Sequence, residues 1–350
     1  MFVSRSRLQM SPPSALPTPP LPLLLTGIAG VAGYNAWHYF RRKYPGQVVA
    51  VRRVDNWPLR GEGIIACDGD DRDGLARLFD RHQFRAVLNC EGTCKLKSCE
   101  LDPAMAQRIN VESLQTLLDV IGGSQVRLVH LSIDLVYSGT RGGNHVEDDF
   151  ADPVTVYGKT MAQAEELLLR ERPDACQLRI SLPMGVSFNG HAGAIDWIQS
   201  RFKHGRPATL YFDEVRTPTY TDCLNRLLRR VLASDLAGIY HAGGPRRLSL
   251  YQIAQIVNRV GGYDPRLLHG CPRIEAGPIP PRAGDVSLSS QKLVRDLGHD
   301  PFDPWPLHDE HVPTDPQWHC RRDTFDGSPE LLAEVLYRNP RRTKVRNAGV

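Results

Sequence analysis

Nowhere does the chain carry an apolar run approaching the roughly 20 residues a helix needs to cross a bilayer, which argues against a membrane-spanning protein. It also lacks an excess of either charge. Lys and Arg number 43 against 39 Asp and Glu, and the last ten residues alone hold Arg341, Arg342, Lys344 and Arg346. Without those four the two signs balance, whereas a nucleic-acid surface normally needs a basic domain. The basic end reads as a solvated tail, and nucleic acid is not an expected partner. Cysteine is sparse: of eight thiols only Cys90, Cys94 and Cys99 lie close together. Their spacing matches neither a paired CxxC zinc pattern nor a dense disulfide framework, so reduced thiols in a cytoplasmic protein are expected. His308, His311, His319 and Cys320 follow no ligand spacing, and no metal is expected. Prolines within residues 11–22 break up the only stretch resembling a secretory signal. That stretch runs straight into a glycine turn of the fold, so export is not expected either. There is no internal repeat.

What is present is an ordinary globular composition, 41% hydrophobic and 23% charged, enough for a large core or for one large and one small. After a Pro/Ser-rich extension at 1–20, short apolar runs alternate with amphipathic stretches. Strands are expected at 23–25, 48–51, 63–66, 86–89, 128–131 and 177–180, with helices at 34–44, 73–82, 103–121 and 156–170. Short runs buried on both faces, alternating with helices, imply an α/β fold: a doubly wound parallel sheet of the Rossmann kind. Beyond residue 182 the rhythm loosens. Helices are expected at 195–203, 223–233 and 249–260, a strand at 239–241, and irregular chain over 206–222 and 265–303. The expected organisation is a flexible extension (1–20), then a dinucleotide-binding domain (21–182, with later returning segments). A smaller substrate-binding region (mainly 183–310) and a C-terminal extension with a basic tail (311–350) follow.

The segment Thr26-Gly27-Ile28-Ala29-Gly30-Val31-Ala32-Gly33 follows a strand and opens a helix. Gly27 permits a tight turn, Gly30 lets backbone approach a pyrophosphate, and Gly33 lets helix pack close to strand, while the helix N-terminus offers free N–H groups. The second strand ends in Arg52 and Arg53, where a protein that prefers NAD usually places an acid. A guanidinium suits a 2′-phosphate, which favours NADP over NAD. Asp68 closes the third strand, within reach of an adenine edge.

Further motifs follow in order: Asn89 with Pro103 and Asn110; Leu131-Ser132-Ile133-Asp134-Leu135-Val136-Tyr137; Gly139-Thr140 with Glu147-Asp148; Val156-Tyr157-Gly158-Lys159-Thr160; Arg216-Thr217-Pro218-Thr219; and Pro281-Arg282-Ala283-Gly284-Asp285. Over about residues 23–298 the chain resembles the extended short-chain dehydrogenase/reductases. Among them it is most similar to dTDP-4-dehydrorhamnose reductase and its sugar-nucleotide-binding relatives, one of which is the regulatory beta subunit of methionine adenosyltransferase. The resemblance implies a nucleotide-sugar reductase or epimerase using NADP, with Asn89 at the cofactor. It also implies Arg216 and Arg282 on the nucleotide sugar, and either a homodimer or a partner enzyme under its control. It further implies a proton-transfer set of a Ser or Thr after the fifth strand, a Tyr, and a Lys four residues beyond it. Tyr157 matches the tyrosine and is the candidate catalytic residue. The other two positions are Ile133, which offers no hydrogen bond, and Met161, which offers no charge. Lys159 lies about 200° round the helix from Tyr157, and Ser132 should face the other side of its strand. A catalytically impaired NADP-binding regulatory or scaffold protein is the alternative expectation.

Overall fold

A computed structural model describes residues 16–191, 193–322 and 327–338. The basic tail and most of the N-terminal extension lie outside these described residues. Seven parallel strands form the central sheet: β1 (Leu23–Leu25), β2 (Val48–Arg52), β3 (Ile64–Ala66), β4 (Ala86–Asn89), β5 (Arg127–Ile133), β6 (Cys176–Ile180) and a last strand, Gly238–Ala242. Spatially they run Gly238–Ala242, β6, β5, β4, β1, β2, β3, the Rossmann order extended by one strand beside β6. The order reverses between β1 and β4, which opens a crevice at the strands' C-terminal ends. The apolar β1 and the β4 run, apolar up to its terminal Asn89, are buried throughout because helices cover both sheet faces.

Helix α1 (Val31–Lys43) buries Ala36, Trp37 and Phe40 against the sheet, and α2 (Arg72–His82) is capped by Asp71, whose side chain accepts the Gly74 N–H at 2.9 Å. The expected helix over 103–121 forms, but a π-helical turn at Arg108–Glu112 interrupts it. The turn carries Asn110 inward, where its amide bonds the backbone of Thr93 at 2.8 Å and the hydroxyl of Thr160 at 2.8 Å. Helix Val156–Glu171 starts at the Thr155 cap, and its Gly158 packs so close to the 3-10 turn after β5 (Asp134–Val136) that a Cβ would lie 2.2 Å from the Leu135 carbonyl oxygen. That close approach sets Tyr157 at the crevice.

Past β6 three short strand pairs form, and their strands at 208–211, 215–216, 219–220 and 268–271 fall in chain expected to be irregular. Pro183–Met184 pairs with Thr219–Tyr220, Val215–Arg216 with Leu248–Ser249, and Ala208–Tyr211 with Leu268–Cys271. Ladders of two to four residues are too short to leave a periodic trace in sequence, which is why the pattern could not announce them. Helix Gln291–Leu297 likewise interrupts the expected loop over 265–303. Among the described residues no helix is long and apolar enough to cross a membrane.

Candidate active site

The crevice begins at the glycine turn. Gly27 has φ +64°, and a Cβ there would stand 2.0 Å from the carbonyl oxygen of Cys90; at Gly33 one would stand 2.3 Å from the Gly27 oxygen. Gly27 is therefore dictated by the backbone of the loop after β4, and Gly33 by the turn's own backbone. Gly30 is different: it caps α1 without a side-chain bond, and the nearest atom to an added Cβ is 3.6 Å away. The open side of the turn is at the second glycine, as a phosphate-binding turn requires. Asn89, at the end of β4, ties the neighbouring strands together. Its oxygen accepts the Thr26 hydroxyl at 2.5 Å and the Glu91 N–H at 3.1 Å, while its amide nitrogen meets His130 at 3.0 Å. Burial drives that histidine down to about 4, which keeps it neutral.

The sequence-expected cations at the end of β2 behave unequally. Arg52 donates to the carbonyls of Arg53 (2.7 Å) and Val54 (3.0 Å), so its guanidinium serves its own loop. Arg53 pairs with Asp55 at 3.2 Å and also feels Asp68 and Glu91. Asp68 accepts the Val54 N–H at 2.9 Å.

Glu91 escaped sequence reasoning. Two residues past Asn89, its half-buried carboxyl accepts the Gly27 N–H, the very group a phosphate would approach. Burial pushes the carboxyl up to about 7, against the pull of the Gly27 N–H and of Arg53, with Asp68 and Asp70 adding to the rise. In shape, then, the turn fits a dinucleotide's pyrophosphate, and in charge Glu91 opposes it when ionised. The only signal in the sequence was an acid immediately beyond a strand end.

At the other end of the crevice, Ile133, Tyr157 and Met161 belong to one apolar cluster with Cys99 and Val136. Tyr157 is 7% exposed and Met161 2%. Burial raises the Tyr157 phenol well above its ordinary value; Cys94, Asp134 and Cys99 add to this, and Arg216 opposes it. The Met161 sulfur lies 3.8 Å from where a Gly92 Cβ would be, so a thioether fills the space behind the loop that follows β4. Lys159 is exposed, and Ser132 turns away to bond Glu165, as their spacing from Tyr157 and Ile133 had indicated.

The two arginines expected on substrate are drawn into one buried ionic group. Arg216 pairs with Asp134 at 2.5 Å and Glu214 at 3.0 Å; Arg282 pairs with the same Glu214 at 2.7 Å and lies over the Tyr211 ring at 4.7 Å. Ser181 completes the group by donating to Asp134 at 2.6 Å. Two cations thus face two anions. Among the described residues no cluster of His, Cys, Asp and Glu could hold a metal ion, and all eight cysteines are free. Of the cysteines flagged in sequence, Cys94 and Cys99 stand near Tyr157. His319 bonds Gln255 at 3.2 Å.

Comparison with known proteins places this arrangement. A family model described as RmlD substrate binding domain matches residues 21–308. The chain is 27% identical over 268 residues to dTDP-4-dehydrorhamnose reductase of Mycolicibacterium smegmatis, covering 74% of this chain and 80% of that one. It is 25% identical over 249 residues to methionine adenosyltransferase 2 subunit beta of Danio rerio, covering 67% and 72% respectively. Among solved structures, dTDP-4-dehydrorhamnose reductase from Bacillus anthracis in complex with NADP superposes with a TM-score of 0.69 at 16% identity, covering 81% of this chain and 95% of that one. The Thermus thermophilus UDP-glucose 4-epimerase complex with NAD gives 0.68 at 22% identity, covering 80% and 93%. At those identities the superpositions establish the fold.

Proposed function

The chain belongs to the family described as RmlD substrate binding domain, and from that premise we propose a nicotinamide-dinucleotide-binding, sugar-nucleotide-reductase-like protein whose binding has outlasted rapid proton transfer. One observation carries this reading: a single crevice is open at Gly30 yet closed around Tyr157, which has Met161 in place of a cation one turn along its helix. A bound nicotinamide dinucleotide would supply a hydride. Gly27, Gly30 and Gly33 would cradle its pyrophosphate and Asn89 would hold the cradle's shape. Arg53, Asp68 and, after leaving its loop carbonyls, Arg52 would meet the adenosine end. Solved neighbours carrying NADP and NAD support the cofactor class, and the two arginines favour NADP. Tyr157 is the proton donor of whatever reduction occurs, and Arg216 and Arg282 would hold the pyrophosphate of a nucleotide sugar.

Ligand binding to the native state raises its stability by RT ln(1 + [L]/Kd), so a thermal-shift comparison reports binding without assuming turnover. NADPH should raise the melting temperature more than NADH, and Arg53→Ala should remove the difference. Single-turnover oxidation of NADPH with a dTDP-4-keto-6-deoxy sugar should run about 10²- to 10⁴-fold below an ordinary reductase, the usual share of general acid–base catalysis. No stabilisation by either nucleotide, or turnover at common enzyme rates of about 10 s⁻¹, would refute the proposal.

A second reading, a non-catalytic nucleotide-bound regulatory or scaffold subunit, is favoured by Glu214. That buried carboxylate pairs with both arginines meant for a sugar nucleotide, and Asp134 takes up the remaining charge of Arg216. Under this reading NADPH stabilises the protein and dTDP-sugars do not.

A further inference from the structure

A cavity of about 360 Å³ opens at the end of α1 remote from the glycine turn, between that helix, helix Thr221–Leu232 and Tyr337. Neither the glycine turn nor Asn89, Glu91 or Tyr157 lines it, so this cavity is separate from the crevice. Its volume falls within the range usual for small-molecule sites, roughly 300–1,000 Å³.

The lining is basic. Arg42 and Lys43 reach it from α1, and Arg226 and Arg229 from helix Thr221–Leu232, while Asp222 is the lining acid. Asp222 already pairs with Arg226 at 3.0 Å. Among the described residues Arg42, Lys43 and Arg229 form no ion pair with any carboxylate. Cations in the last turn of α1 would be expected simply from the helix dipole, which accounts for exposed Arg42 and Lys43. It does not account for Arg229, which is only 7% exposed. Its guanidinium stacks over Tyr44 at 5.7 Å and gives one N–H to the Leu16 carbonyl, leaving a buried Nε with no partner.

One turn earlier on the same face, Asn225 is 3% exposed. Its amide nitrogen donates to the Asn35 carbonyl at 3.3 Å, which fixes which end is oxygen, and that oxygen has no donor. A buried donor and a buried acceptor on one helix face, both lining one cavity, are each costly unless something completes them. An Nε–H demands an acceptor, three unpaired cations demand negative charge, and the Asn225 oxygen demands a hydroxyl or amine on the same occupant.

We propose that this cavity is a second ligand site, for a small phosphate monoester that carries hydroxyl groups. The phosphate would sit among Arg42, Lys43 and Arg229 and a hydroxyl would reach Asn225. Sugar phosphates and nucleoside monophosphates share this chemistry.

Calorimetric titration of the full chain with inorganic phosphate, glucose 1-phosphate and AMP tests it. Glucose 1-phosphate or AMP should bind saturably and about tenfold or more tighter than inorganic phosphate, since a satisfied hydrogen bond to a buried group adds about that factor. Whichever ester binds tighter identifies the source class. The exposed double change Arg42→Ala with Lys43→Ala should weaken every probe at least about tenfold without unfolding the protein. Asn225→Leu should abolish the preference for the hydroxylated ester over phosphate. Gly30→Val, which fills the glycine turn, should leave all three affinities unchanged. Absence of saturable binding by any probe overturns the proposal. So does binding that survives the Arg42/Lys43 change, or that disappears with Gly30→Val and thereby belongs to the dinucleotide crevice.

Discussion

Glu91 shows how one side chain can set the terms on which a site works. Its carboxyl faces the Gly27 N–H, Arg53, Asp68 and Asp70, and sits near 7 where an unfolded glutamate titrates at about 4.3. The folded protein therefore keeps a proton that the unfolded chain has lost. The stability this confers is complete below the unfolded value and disappears as pH rises through about 7. Nucleotide affinity should follow the same direction, because an ionised Glu91 repels a pyrophosphate. NADH is the suitable probe, since it lacks the 2′-phosphate that itself titrates near pH 6. Its dissociation constant should rise between about pH 6 and pH 8, and Glu91→Gln should flatten that rise and tighten binding at the alkaline end. A titration series in which both proteins show the same slope would remove Glu91 from the cradle. Ile133 and Met161 make a different kind of prediction. Restoring the family's set with Ile133→Thr and Met161→Lys should raise single-turnover NADPH oxidation by about 10²- to 10⁴-fold. Neither single change should approach that, because groups acting as one unit are not additive. These two positions were legible through the family resemblance, which aligns Ile133 by Asp134 and Val136-Tyr137 and Met161 by its place four residues after Tyr157. Glu91 was not, because nothing local says that the loop after β4 folds back onto the turn after β1.

At the scale of elements, the glycine turn separates packing from binding. Gly27→Ala sets a methyl 2.0 Å from the Cys90 oxygen and forces a side chain into φ +64°, so the turn must open or the strands must part. Strain of this sort costs about 1–3 kcal/mol from the backbone alone, readable as a lower denaturation midpoint. Gly30→Val should do the opposite. With space around the Cβ it should leave the midpoint nearly unchanged while eliminating NADPH binding in a thermal-shift assay. If Gly30→Val binds normally, the pyrophosphate does not lie on this turn. The sequence placed β1, β4 and most helices closely because burial on both faces writes continuous apolar runs and amphipathic helices repeat over several turns. It left out the π-helical break at Arg108–Glu112, since that break follows from Asn110 reaching Thr93 and Thr160, residues supplied by other elements.

Across the whole molecule, a buried ionic chain fastens the late strands to the sheet. Ser132 on β5 donates to Glu165, which pairs with Arg179 on β6 at 2.6 Å, and Arg179 reaches the Tyr137 hydroxyl at 2.6 Å. Tyr137 meets His241 on the last strand at 3.1 Å and stacks on His145 at a centroid distance of 3.9 Å. Removing one partner of such a pair leaves an uncompensated buried charge, so Glu165→Leu should lower unfolding free energy by about 3–5 kcal/mol. Replacing both Glu165 and Arg179 by apolar residues should cost less than that single change. Equal losses in chemical denaturation would mean that the pair is not coupled. The sequence by itself determined the strand and helix alternation and the glycine turn, because each is written at a spacing of a few residues, whereas the reading of Ile133 and Met161 rests on the family resemblance. Only the tertiary structure decided that Glu91 lies on the turn, that Glu214 stands between Arg216 and Arg282, and that Arg229 and Asn225 line a cavity with α1. Those contacts join side chains across chain separations at which neither helical nor strand periodicity carries information, so the path of the chain had to be known first.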